Sequence, residues 1–170
     1  MEYEFTLKYQ LQEDDDVDLL LERLAEAGCD DAVVGVGQPG RLALAFVRES
    51  QSARQAIESA LHDVRAAIPS ARLIEATPDL VGLTDIAHVI GVSRQNMRKL
   101  MLSHMHSFPA PIHEGSTSLW HLVEVLAWLQ ARGSYAIGQE VIDLAAVARS
   151  VNVAHAYERV FDPATQAALR

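Results

Sequence analysis

The sequence predicts an α+β chain, with a strand-and-helix first half and a mostly helical second half. Three observations predict it. Residues 3–11 alternate strictly between apolar and polar side chains, the period of a half-buried strand. Two apolar stripes at helical spacing, Val17 to Ala27 and Ala53 to Ile68, fall between strand-like runs in the same half. From Leu83 onward the pattern changes to short helices punctuated by Gly91, a proline-rich stretch and a longer helical period.

Taken in order, Tyr3, Phe5, Leu7, Tyr9 and Leu11 point one way in a first strand. Val17, Leu20, Leu21, Leu24 and Ala27 form the inner stripe of a helix that Gly28 ends. Ala32-Val33-Val34 and Leu42 to Val47 read as two strands joined across a Gly-Gln-Pro-Gly turn. Ala53, Ala56, Ile57, Ala60, Leu61, Val64 and Ile68 make a second helix, stopped by Pro69, and Leu73 to Ala76 supply a fourth strand. The order is βαββαβ, the ferredoxin-like split βαβ arrangement, over residues 1–77. Thr77-Pro78-Asp79 is the expected linker. Leu42 to Val47 is apolar on both faces, which predicts either a plain interior strand or an open sheet face covered as this domain dimerises or meets a partner; a sensor role for the domain has only its architecture behind it. Cys29 reads as a small packing residue beside the helix stop.

Two features of this half imitate sites. Gly35-Val-Gly37-Gln-Pro-Gly40 matches the dinucleotide-binding spacing, but such glycines must open a helix whose N-terminus receives a pyrophosphate. Here they lead into another strand, so a hairpin turn is expected and no cofactor. The acid run Glu13 to Asp16, with Asp18, reads as a solvated helix start facing the positive end of the macrodipole, because it lacks the spacing of a calcium loop.

The stretch Leu83 to Leu102, LTDIAHVIGVSRQNMRKLML, carries most of the functional signal. Thr84 is the expected cap of a first helix with Ile86, Ala87 and Ile90 on its inner face. Gly91 provides a tight turn, Val92 plugs it, and Ser93 caps a second helix held by Met97 and Leu100. Ala87 leaves room for the two helices to cross closely. The outer face then carries Arg94, Gln95, Asn96, Arg98 and Lys99, side chains suited to base edges and phosphates. This is the pattern of a helix-turn-helix.

Phe108-Pro109-Ala110-Pro111 follows, then a Gly115-Ser116-Thr117-Ser118 turn, Trp120, and a helix with Glu124-Val125-Leu126-Ala127-Trp128-Leu129. With these motifs in this order, residues from about 80 to 133 resemble the MerR-like winged helix-turn-helix regulators, especially the small AlpA-type regulators and excisionases. The resemblance implies a major-groove recognition helix, a short β-wing and a transcription-regulating role. Residues 114–119 hold no Lys or Arg where such wings are usually basic, and the chain lacks the long C-terminal coiled coil of full MerR sensors.

Bulk properties narrow the classes. A hydrophobic content of 49% with scattered charge marks a folded chain, and no apolar run approaches the ~20 residues of a membrane helix. Without a signal-like N-terminus, the expected location is cytoplasmic. One cysteine excludes an intrachain disulfide and a Cys-rich zinc site. The net charge of −9 is unevenly spread: residues 1–79 hold 16 acidic and 7 basic side chains, residues 80–135 hold 3 and 4, and residues 136–170 hold 4 and 3. His104, His106, His113 and His121 lack helical ligand spacing, so they are expected near DNA phosphates rather than on a metal. No nucleophile–base order or phosphate loop appears, and no enzyme activity is expected. Trp120 and Trp128 are expected in the core. Residues 136–170 form a C-terminal helical segment, one long or two short helices over Gln139 to Phe161. Its stripe of Val141, Leu144, Ala145, Ala148 and Val151 is expected to serve docking or a dimer contact.

These readings converge on a sequence-specific regulator of double-stranded DNA, acting as a homodimer on two half-sites. Arg94 and Arg98 are expected at guanines, Gln95 and Asn96 at adenines, Lys99 and Ser93 at phosphates, and His113 to Ser116 at the flanking minor groove. A protein-interaction module is the alternative, such as an antitoxin or phage-related adaptor whose acidic N-terminal domain binds a basic partner.

Overall fold

The computed structural model describes all residues from Met1 to Arg170 and is a mixed α+β structure. The first half runs β1 (Glu2–Gln10), α1 (Val17–Glu26), β2 (Ala32–Gly35), β3 (Arg41–Glu49), α2 (Ala53–Ala67), β4 (Arg72–Thr77). Its strands form one antiparallel sheet in the order β2-β3-β1-β4. The alternation that predicts β1 also decides which side is buried: Tyr3, Phe5, Leu7 and Tyr9 face inward with Leu42, Leu44 and Phe46 of β3. They pack on Leu20 and Leu24 of α1 and on Ala56, Ile57, Ala60 and Val64 of α2. Asp16 caps α1 by accepting the Asp18 and Leu19 amides, which accounts for part of the acid run. The glycine-rich segment is the turn from β2 to β3, as the strand context predicts.

Within the chain the other face of the sheet is open. Ala45 is exposed, as are Val33 opposite it in β2 at 75% and Val47 at 48%, so nothing of this chain covers β3 there. Ala and Val are compatible with either side of a strand, so composition alone does not place a second layer there.

Arg48 shares the inward phase of β3 and is buried. Its guanidinium donates to both carboxylate oxygens of Asp31 at 2.6 and 2.9 Å, to Asp63 at 2.9 Å, to the Ser59 hydroxyl and to the Gly28 carbonyl. The hydrogen bonds it donates to Asp31 and Asp63 outweigh burial and hold the guanidinium firmly protonated. This network closes the end of the core that holds Cys29.

The second half runs β5 (Leu80–Val81), α3 (Leu83–Ile90), α4 (Arg94–Ser103), β6 (Trp120–His121), α5 (Leu122–Arg132), α6 (Gln139–Val160) and α7 (Pro163–Ala168). Its own core joins Ile86, Ala87, Met97, Phe108, Trp120, Leu122, Val125, Leu126 and Leu129. α6 is one long helix, and its apolar stripe is used within the chain rather than left for a partner. Leu144, Val147 and Ala148 enter the first core while Ala145 enters the second. The part of α6 from Val141 to Asn152 is therefore a strut across both halves, reinforced by an Arg149–Glu124 ion pair at 3.1 Å, while residues 156–170 are exposed.

The expected linker is also a structural element. Asp79 is 1% exposed, and its carboxylate takes the His121 Nδ1 at 2.6 Å and the Asn152 amide at 2.8 Å. Asn152 in turn bonds both the amide and the carbonyl of Ala76. β4, β6 and α6 thus meet around one buried carboxylate, whose loss leaves His121 and Asn152 each a polar group to resatisfy. No helix is long and apolar enough to cross a membrane.

Candidate nucleic-acid interface

α3 begins two residues earlier than a Thr84 cap predicts. Its cap is Gly82, which has no side chain to accept a helix amide; instead Asp85, three residues on, reaches back to accept the Gly82 amide at 3.1 Å. At the other end Gly91 has φ +74°, a left-handed backbone that lets the Val92 amide return to the Ala87 carbonyl at 2.9 Å. The Ser93 hydroxyl then accepts the Asn96 amide at 3.1 Å and starts α4. Met97 is the only buried residue of α4, held between α3 and α5 side chains in the second core. That single anchor sets the rotation of the helix and turns its polar residues outward.

Arg94, Gln95, Asn96, Arg98 and Lys99 are all exposed. Gln95, Arg98 and Lys99 share one shallow groove with Leu102 and Ser103, which Arg94 and Asn96 do not line. None of Arg94, Arg98 and Lys99 takes part in an ion pair. No Asp or Glu occurs between Asp85 and Glu114, so the sequence supplies no local acid to quench them. Leu102, 48% exposed in the same groove, is a residue that attention to polar side chains passes over.

Beyond α4 the chain is pinned by Phe108, which meets Trp120 and Trp128 edge-on at 5.9 and 5.0 Å between centroids. The Trp120 indole donates to the Pro109 carbonyl at 2.9 Å. Trp128 is half-buried, and Arg132 lies over its ring at 4.8 Å. A short hairpin follows, closed by the Ile112 amide to Leu119 at 2.7 Å and the Leu119 amide to His113 at 3.0 Å. His113 and Ser116 are exposed on it, next to Glu114 and with no cation.

The histidines do not behave as a set. His121 is buried on Asp79, and His104 turns its Nδ1 to the Leu100 carbonyl with its ring against Trp128. His121 is thereby closed off from any external phosphate, which corrects the expectation for it; His104 is half-buried, and His106 and His113 are exposed. No three His, Cys, Asp or Glu side chains converge on a metal-sized site.

No protein-family model, characterised protein or solved structure matches the chain.

Proposed function

We propose that the protein is a sequence-specific DNA-binding regulator, a ferredoxin-like domain joined to a MerR/AlpA-like winged helix-turn-helix. The observation that carries it is α4. One helix presents Arg94, Gln95, Asn96, Arg98 and Lys99 to solvent, no ion pair engages its cations, and a tight Gly91 turn fixes it against α3. Free guanidinium and amide groups on one face suit bidentate contacts to guanine and adenine in the major groove. The β2-β3-β1-β4 order supports the ferredoxin-like description, and the hairpin before β6 supports the wing.

One observation favours the alternative of a protein-docking module: the hairpin offers Glu114 and no cation, while the first half carries nearly all the acidity. Selection of bound sequences from a random duplex pool separates the two. A defined, two-fold symmetric motif is the expected result. No enrichment at low salt turns α4 into a docking surface for another protein.

A further inference from the structure

The outward face of the four-stranded sheet is uncovered, and its charges are sorted along the strands. At one end Glu2 lies opposite Glu49, followed by Glu4 opposite Val47. The next row is neutral, with Thr6 between Ala45 and Thr77, and Val33 beyond Ala45. Lys8 comes next and is cancelled by Glu75 at 2.8 Å. Gln10 closes the face between Arg41 and Arg72. No ion pair engages Glu2, Glu4, Glu49, Arg41 or Arg72. Like charges directly opposite in a ladder, as Glu2 and Glu49 are, destabilise it unless a cation meets them. Glu13 and Asp15 lie along the sheet end beside Arg41 and Arg72 without pairing to either, which leaves the apolar middle to carry much of any contact.

We propose that a second copy of this chain stacks on this face about a two-fold axis through the neutral row. The rotation sets Glu2 and Glu49 of one copy over the Gln10 row of the other, with its Arg41 and Arg72, sets Glu4 over Lys8, twice, and buries Val33, Ala45 and Val47 of both. The patch is self-complementary, the condition for an isologous dimer. Strands of nine, four, nine and six residues cover roughly 450 Å² of face, so a stacked pair buries on the order of 900 Å², at the low end for a specific interface. α3 borders the acidic half as a wall, with His88 and Val89 lining the same cleft as Glu4, Ala45 and Val47. The partner's open Arg41 end enters that cleft, and the two helix-turn-helix units are carried to opposite ends of the paired sheets. The pairing stands on the sheet; only its use, holding two recognition helices on one operator, rests on the DNA-binding proposal.

The test is sedimentation of the full chain without DNA, for wild type and two double variants checked for native circular dichroism. Wild type is expected to be a dimer. Glu4→Lys with Glu49→Lys makes the face cationic, and Arg41→Glu with Arg72→Glu makes it anionic. Each alone is expected to dimerise at least tenfold more weakly, and an equimolar mixture to recover dimers. Should either double variant misfold, Val33→Lys in the neutral row supplies the same loss. A monomeric wild type overturns the proposal and leaves the face to a different protein. So do variants that pair as well as wild type, or a mixture no better than its parts. Operator binding by a monomer sinks the pairing alone, whereas a dimer that enriches no duplex sinks the DNA-binding proposal alone.

Discussion

Arg48 in the first half and Arg98 in the second carry the same guanidinium under opposite circumstances. Arg48 is buried and saturated by Asp31, Asp63, Ser59 and Gly28. Arg98 is exposed, with neither an acid nor a carbonyl to satisfy it. The first arrangement stabilises a fold and has no capacity left for a ligand. The second contributes little to the fold and keeps its donors for an external anion. The molecule therefore separates the two uses of a cation by region, which is how a chain with a net charge of −9 keeps a patch of free cations for the proposed DNA contact.

Substitutions that act on one region and spare the other probe this division. The largest effect is expected at Phe108, whose ring joins both tryptophans under α4: Phe108→Ala should cost about 4 kcal/mol in urea unfolding and abolish DNA binding with it. Equal stability to wild type would remove the aromatic pin from the account. Arg48→Ala should cost about 3 kcal/mol, because Asp31 and Asp63 lose their partner in a largely buried place. DNA affinity at temperatures where the variant is folded should stay unchanged.

Arg98→Ala is the reverse case. It should weaken specific DNA binding by about 2 kcal/mol and relax preference at one base pair, while stability moves by less than about 0.5 kcal/mol. A stability loss comparable to Arg48→Ala would erase the contrast between the two arginines. Gly91→Ala sharpens the geometry of the turn. Nothing stands within 4 Å of an added methyl, so only the φ of +74° opposes it, and about 1 kcal/mol is expected.

The smallest effect concerns Cys29. Burial, with Asp63 nearby, pushes its thiol up to about 11 from an ordinary value of 9.0. The fold disfavours the thiolate, so this contribution to stability is intact below pH 9 and is lost as pH rises through 11. At pH 8 the native chain should alkylate about a hundredfold more slowly than the chain in urea, as two units less ionisation implies. Equal rates would place the thiol at the surface.

Much of this division is legible in the residues themselves. The period-two alternation of Tyr3 to Leu11 and the stripe from Ala53 to Ile68 specify face as well as element, because burial follows side-chain direction in both. The inward phase of Leu42, Leu44 and Phe46 already carries Arg48 into the core, and only the identity of its acids is hidden. The role of Asp79 is not legible, since its partners His121 and Asn152 lie 42 and 73 residues away. The start of α3 was misplaced because Thr84 and Asp85 both offer a capping oxygen, and the choice between them depends on where β5 ends. On α4 the polar residues stand out, whereas Leu102 joins the groove only through the rotation that Met97 imposes.

The most direct test of the central claim is the salt dependence of binding to a selected duplex, for wild type and for the triple variant Arg94→Ala, Arg98→Ala and Lys99→Ala. If the free cations of α4 meet DNA, the log–log slope should become shallower by about two to three units as counterion release is lost. An unchanged slope in a folded triple variant would place the DNA elsewhere on the protein and contradict the account.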